Sequence, residues 1–329
     1  MLDNITLAAG GGGRDMNALL ASAVFSAFKS PILLAGGDAA YIQPKGELAF
    51  STDSFVITPE FFPGGNIGKL AAAGTINDIA VSGAIPKYLS CSLVIPEGYS
   101  LENLKKIISS LAETAAEAGV EVVTGDTKVV PRGDIRGLIV NTAGIGEVVS
   151  RWNDFSRIST GDKVIITSDI ARHGMAVLAA RGELGFTGAI PTDCAVLSNM
   201  LALLHKKTIN FARDATRGGV AAVLNEIAVG SGKGIIAVEE QIPIRDDVRE
   251  LCNVLGFDPL TVANEGAAIL IAPPEEAEAV LEILKAHPYG ASSAICGEVA
   301  RERHVLLETS IGGKRRIDFP TGENLPRIC

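Results

Sequence analysis

The sequence predicts a mixed α/β (α+β) chain of two sandwich-like domains followed by a short flexible tail. Three observations predict it. Segments with strand period alternate with segments of helical period through both halves of the chain. That periodicity lapses around Ser150 to Asp162, and from Gly312 onward it stops altogether. The length, 329 residues, is enough for two domains of ordinary size, each with its own core. The expected divisions are residues 1–152, residues 153–311 and a tail of residues 312–329.

Taken in order, Met16–Phe28 is helix-like behind a run of glycines, and Leu48–Thr58 alternates apolar and polar residues as a strand does. Asn66–Ala84 is an Ala-rich helix, and Lys87–Ile95 is a strand ending at the turn Pro96-Glu97-Gly98. Ser100 caps an amphipathic helix with Leu101, Leu104, Ile107, Ile108 and Leu111 on one face, and Gly119 ends it. Glu121–Thr124 and Arg136–Val149 complete the strands of the first half. The second half restarts with strand Val164-Ile165-Ile166 and a helix after Gly174. Helices near Leu197–His205, Gly219–Val229 and Glu275–Lys285 follow, with strands at Gly234–Val238, Ala267–Ala272 and Ile295–Ala300. The closing stretch GGKRRIDFPTGENLPRIC shows neither period and is expected to be a tail, with Lys314-Arg315-Arg316 a solvated loop. Extended, its 18 residues span roughly 60 Å at ~3.3 Å per residue, enough to reach a site on the body.

Composition removes several classes of function. Apolar residues at 47% and charged residues at 20% describe a globular chain. A net charge of −9 argues against a general nucleic-acid or membrane surface, which needs excess Lys and Arg. No run reaches the ~20 apolar residues of a membrane span, and the first residues lack the basic region of a signal peptide. The five cysteines, at 91, 194, 252, 296 and 329, are odd in number and too far apart for CxxC metal or redox chemistry, so a reducing cytoplasm fits. Glycine is in excess, 36 residues or about 11% against a usual ~7%, and gathers beside Asp where the chain turns. That placement suits loops through which backbone approaches phosphate.

Neither standard nucleotide loop is present. Gly64–Leu70 and Gly230–Gly234 both carry Gly-Lys, but neither has the hydroxyl residue after Lys that a P-loop offers to Mg²⁺. What remains is a scatter of acids beside small residues: Asp38, Asp53, Asp78, Asp126 and Asp214. Mg²⁺ takes carboxylate and phosphate oxygens, and aspartates from separate loops can converge on it; taken singly, each is more readily a turn or helix-cap residue than a ligand, and spacing does not show convergence. Gly10–Gly13, at the head of a helix, is either an anion-binding turn or a flexible leader. Phe211–Gly219 sets an acid, a hydroxyl and two cations directly before a helix, the polarity that a phosphate or metal site uses. Lys128 can neutralise a transferred phosphoryl group and Glu265 can take a proton; an ordinary ion pair is the alternative for each, and His173 stands similarly. Cys329, last in the sequence, has no packing role there and is not at a prenylation position. A neighbouring α-carboxylate would raise its thiol pKa and Arg327 would offset this in part, so it is expected to carry a group rather than to attack unaided.

The stretches Phe50–Leu93, Thr124–Val130, Arg213–Val220, Ala263–Gly266 and Leu325–Cys329 together resemble the HypE family of hydrogenase-maturation factors, over essentially the whole chain. That family sits in the aminoimidazole ribonucleotide synthetase and selenophosphate synthetase-like superfamily. The resemblance implies the two-domain fold of that superfamily, dimerisation through amino-terminal domains, and ATP with Mg²⁺ held by aspartates. It implies ATP-dependent dehydration of an S-carbamoylated Cys329 to a thiocyanate, the source of the cyanide ligands of [NiFe]-hydrogenase iron. Carried onto this sequence, it implies Cys329, Glu265, Lys128 and His173 in the chemistry. For ATP it implies Gly12, Gly13, Asp38, Asp53, Asn77, Asp78, Thr127, Thr216 and Gly218; for the metal, Asp38, Asp53, Asp78, Asp126 and Asp214. Expected partners are a second copy, the carbamoyltransferase HypF and the HypC–HypD iron-scaffold complex. Two positions depart from the family pattern: Ala9, where His is common, and Gly37, where a second acid is common. The alternatives are a selenophosphate synthetase or thiamine-phosphate kinase type of enzyme, or a non-enzymatic ATP-binding scaffold.

Overall fold

The computed structural model describes residues 4–10, 13–35, 37, 39–182 and 190–321. Gly12, Asp38 and Cys329, all expected at the site, lie outside the described residues.

The first half begins with helix α1 (Gly13–Leu19), continued by one wider turn to Phe25, and the short α2 (Pro31–Leu34), started by Pro31 and capped by Ser30. Strand β1 (Leu48–Phe55) leads through a two-residue hairpin, β2 (Phe61–Phe62) and β3 (Gly65–Asn66), into α3 (Ile67–Val81). The Asn66 side chain accepts the N–H groups of Gly68 and Lys69, which fixes where α3 starts. Then come β4 (Ala84–Pro96), α4 (Leu101–Glu117), β5 (Glu121–Val130) and β6 (Ile139–Val148). The strands lie in the order β1-β6-β4-β5. Only β4 and β5 are parallel, and α4 is the crossover that a parallel pair requires. Helices α3 and α4 cover one face, burying Leu70, Ile76, Leu104, Ile107, Ile108 and Leu111 completely. At Gly68 the two helices meet so closely that a Cβ would lie 2.0 Å from the Ile107 carbonyl oxygen. The opposite face is open, with Phe50 69% exposed.

The second half contains β7 (Lys163–Ile166), α5 (Arg172–Ala180), α6 (Ser198–Ala202), β8 (Phe211–Asp214), α7 (Gly219–Ser231) and β9 (Gly234–Val238). It continues with α8 (Asp246–Leu255), β10 (Ala268–Ala272), α9 (Pro274–Lys285), β11 (Ala294–Ala300), β12 (Val305–Glu308) and β13 (Lys314–Arg316). The seven strands are ordered β13-β12-β9-β11-β7-β10-β8. Both faces are covered, so the strands read as unbroken apolar runs: Val164 and Ile166 face the core under α7, while Ile165 faces the core under α6 and α9.

Three local expectations change. Helix α5 starts two residues before Gly174, because Ala171 adopts a left-handed φ of 71° and turns the chain there. β5 continues past Thr124 to Val130, pairing along β4 throughout. Lys314–Arg316 is an edge strand rather than a loop: its backbone pairs with β12, Arg315 meets Asp258 at 2.7 Å, and Ile317 beyond it is buried in the core. Charge on all three residues suits an edge strand and hides its period.

The halves are joined by specific contacts. Trp152, 1% exposed, donates its backbone N–H to the Ser82 carbonyl, accepts from Ala212 N–H, and stacks on His205. Among the described residues no helix is long and apolar enough to cross a membrane.

Candidate active site

A cavity of about 370 Å³ opens where the two halves meet. On strand β1, residues 51, 53 and 55 face α3 by simple alternation. Gly74 lets the helix come close, since a Cβ there would lie 2.8 Å from the Phe55 ring. That approach sets Asp78 on α3 beside Asp53 on β1, and Ser51 Oγ donates to Asp78 Oδ2 at 2.6 Å. The Asp53 backbone is held by the Asn141 amide at 2.8 Å.

The other wall comes from the second half. Asp214 ends the edge strand β8, paired with Ala268 of β10. Gly218 and Gly219, at φ 73° and 59°, then turn the chain abruptly into α7. A Cβ on Gly219 would lie 2.5 Å from the Val262 carbonyl oxygen, so the double glycine is a steric requirement of this turn. The turn puts Thr216 and Arg217 at the cavity mouth, while Arg213 is paired with Glu226 at 2.9 Å. Glu265 completes the wall from the loop before β10. Asn264, fully buried, holds that loop by donating to the Ala215 carbonyl at 2.8 Å and accepting Ala171 N–H at 2.6 Å.

Four carboxylates therefore line one cavity across the halves, and three of them, Asp78, Asp214 and Glu265, have raised proton affinities. Burial, and then the negative charge of Asp214, pushes the Asp78 carboxyl up to about 7, against a lowering by Ser51. Burial raises Asp214 to about 6, with Asp53 and Glu226 adding to it and Arg213 opposing. Burial raises Glu265 well above the usual carboxylate range, reinforced by Asp214, Asp193, Asp53 and Asp78. Burial is the shared first cause, and the negative charge of neighbouring carboxylates adds to it. Such a site favours a divalent cation with anionic oxygens to complete its shell. Among the described residues no three acidic, His or Cys side chains are close enough to hold a metal by themselves.

Of the expected residues, Asp53, Asp78, Asp214, Thr216 and Glu265 are brought together, with Gly218 at the adjoining turn. Others are not. Asn77 is consumed internally, its amide donating to the Ala195 carbonyl at 2.9 Å and accepting Leu197 N–H at 2.8 Å, so it staples α3 to the second half. His173 is fully buried and does not line the cavity; its Nδ1 lies 2.8 Å from Thr192 Oγ1, and its ring meets Phe62 edge-on. Asp126, Thr127 and Lys128 stand on β5, at the far edge of the sheet from β1, about 14 Å away at ~4.8 Å per strand. Asp126 and Thr127 border a separate cavity of about 300 Å³ under α1, while Gly13 begins α1 with φ 72°. Sequence reasoning missed Ser51, Asn264 and Asp193. Only Asn264, beside Glu265 in Ala-Asn-Glu-Gly, stood next to a residue already singled out.

Residues 36–148 match the family model of the AIR synthase related protein N-terminal domain, and residues 159–308 that of its C-terminal domain. The carbamoyl dehydratase HypE of Escherichia coli (strain K12) is 45% identical over 337 aligned positions, covering 100% of both chains. A crystal structure of hydrogenase maturation protein HypE in complex with ATP superposes with a TM-score of 0.94 at 41% identity, covering 98% of this chain and 99% of the other. HypE from a HypE–HypF complex superposes with a TM-score of 0.81 at 41% identity, covering 94% and 100%. With sequence, both domain models and the whole backbone in agreement, this chain belongs to the HypE family of carbamoyl dehydratases, the hydrogenase maturation proteins.

Proposed function

We propose that this chain dehydrates a carbamoyl group carried on Cys329 to a thiocyanate at the expense of ATP, providing cyanide ligands for hydrogenase iron. The observation that carries the proposal is the meeting of Asp53, Asp78, Asp214 and Glu265 in one cavity beside Gly218, against which Pro320 packs. A Cβ on Gly218 would lie 3.4 Å from the Pro320 ring. The eight residues after Thr321 can span up to about 26–29 Å when extended, and the proposal requires that reach to carry the thiol of position 329 to Glu265.

The chemistry needs what the cavity offers. Hydroxide is a poor leaving group, so the carbamoyl oxygen attacks the terminal phosphorus of ATP and ADP departs. Glu265 removes a proton from the amide nitrogen; burial raises its proton affinity, which strengthens it as a base in its ionised form. The C–O bond then breaks, phosphate leaves with the oxygen and the second nitrogen proton, and the C≡N bond remains on sulfur. Asp53, Asp78 and Asp214 fit Mg²⁺ as hard oxygen donors placed to share it with phosphates. When bound, that ion neutralises charge on the transferring group. Thr216 and Arg217 at the mouth are positioned for the phosphate tail. His173 receives no part in this reading.

Lys128 and Asp126 are too far along the sheet to serve their own cavity. The exposed Leu48 and Phe50 on the open sheet face support a homodimer, in which a second copy would supply those side chains. A HypF-type carbamoyltransferase is the partner that loads Cys329, which the HypE–HypF complex of a relative supports; a HypC–HypD iron scaffold receives the product, in the cytoplasm. A selenophosphate synthetase reading is disfavoured by Cys91, the first cysteine, which is buried with its thiol pushed up to about 12.

The test is mass spectrometry of the S-carbamoylated protein before and after Mg-ATP. Loss of one water at Cys329 is expected. An unchanged mass there, with ATP bound, would contradict the proposal.

A further inference from the structure

We infer that Asp193 is a positioning residue that holds the backbone of Glu265 in place for catalysis. The inference rests on Glu265 being the base. Asp193 lies outside the cavity wall, on the segment between α5 and α6, and is 5% exposed. Its Oδ2 accepts two backbone N–H groups, that of Glu265 at 3.2 Å and that of Gly266 at 3.1 Å. The Glu265 carbonyl is taken from the opposite side by Ala195 N–H at 3.4 Å and by the Asn77 amide at 3.4 Å. The residue therefore has both ends of its backbone unit fixed by the segment that carries Asp193. The two segments are also in steric contact, because a Cβ on Gly266 would lie 1.9 Å from the Asp193 carbonyl oxygen.

The side chain of Glu265, in contrast, has no hydrogen-bond partner among the described residues. Where its carboxylate sits follows from its backbone and rotamer alone, so backbone placement sets base placement. Asp193 is also an uneconomical choice for a purely structural turn. Its Oδ1 is inaccessible and has no partner among the described residues, a burial that costs stability. An Asn would accept the same two N–H groups without burying a charge. What the acid adds is charge-assisted bonds, roughly twice as strong as neutral ones. Arg172 and Asp169, paired with each other at 2.5 Å, and the Cys194 thiol are the other ionisable groups nearby. Burial raises the Asp193 carboxyl to about 6, opposed by Arg172 and by the two backbone N–H groups it accepts, so it is mostly anionic at neutral pH.

The experiment uses the full chain, carbamoylated on Cys329 with cyanate, and follows single-turnover water loss by mass spectrometry with Mg-ATP. Displacing a reacting group by about 1 Å can cost 10²-fold. Asp193→Ala is therefore expected to slow turnover about 10²-fold with ATP affinity unchanged. Asp193→Asn, which keeps an oxygen acceptor for both N–H groups, should recover to within about tenfold of the native rate on the same scale. On a Glu265→Gln background, Asp193→Ala should slow the residual rate no further. Native turnover in Asp193→Ala, an Asn variant as slow as the Ala variant, or a full further loss on the Glu265→Gln background would each overturn the inference. Native turnover in Glu265→Gln would instead remove the base assignment on which it rests. If Asp193→Ala does not fold, Asp193→Ser, whose hydroxyl is too short to reach both N–H groups, is measured in its place.

Discussion

Replacing Asp78 by Asn should make the metal-free protein more stable at alkaline pH, while making it a poorer enzyme. Asp78 is half-buried, faces Asp53 and Asp214, and has its carboxyl raised from 3.8 to about 7. A raised acid favours the folded state fully only below its unfolded value. As pH climbs from about 4 to about 7 the unfolded chain ionises first, and folding stability falls. The gap between 3.8 and about 7 corresponds to about 4 kcal/mol at 1.36 kcal/mol per tenfold change in proton affinity. Asp214 and Glu265 share the same repulsion, so about half of that is a reasonable expectation for the single substitution. Asn keeps an oxygen to accept the Ser51 hydroxyl, so the local hydrogen bond survives. Urea unfolding in EDTA at pH 8 should then show Asp78→Asn more stable by about 2 kcal/mol, shrinking to near zero by pH 4. With saturating Mg-ATP the order should reverse, because the native protein gains more from the ligand. A variant no more stable than the native chain at pH 8, or a difference that does not change with pH, would refute the electrostatic picture of the cavity.

Other outcomes follow from the same geometry. Glu265→Gln should bind ATP normally by calorimetry yet accumulate as the S-carbamoyl form, detected by mass. Gly219→Ala should lose several kcal/mol in denaturant unfolding, since φ 59° is strained for Ala and the Cβ meets two carbonyl oxygens within 2.6 Å. Asn77→Ala should cost about 2–4 kcal/mol by leaving Leu197 N–H and the Ala195 carbonyl unpaired. Its ATP affinity, measured on the folded protein, should stay near native, because the side chain does not face the cavity.

Much of the fold was legible because apolar period and caps coincide. In α4 the predicted face of Leu104, Ile107, Ile108 and Leu111 is fully buried, and Ser100 accepts the Asn103 N–H that starts the helix. Elements without such agreement escaped. β8 has four residues, half of them charged, and α8 buries only Val248, Leu251 and Cys252. β13 is entirely charged and is a strand solely through its backbone pairing. The site was legible in residue types and not in geometry. Asp53, Asp78 and Asp214 converge because β1, α3 and β8 meet across a long-range interface, which no local spacing encodes. For the same reason Asp126 and Lys128 looked equivalent to them, although strand order sets them at the opposite edge. Asp193 was invisible because its role depends on where the Glu265 loop passes.

The central claim is that phosphorylation of the carbamoyl oxygen drives its removal. Carbamoylating Cys329 with an oxygen-isotope-labelled carbamoyl group and adding unlabelled Mg-ATP tests it most directly. The label is expected in inorganic phosphate, one atom for each thiocyanate formed. Label recovered in water, with unlabelled phosphate, would contradict it.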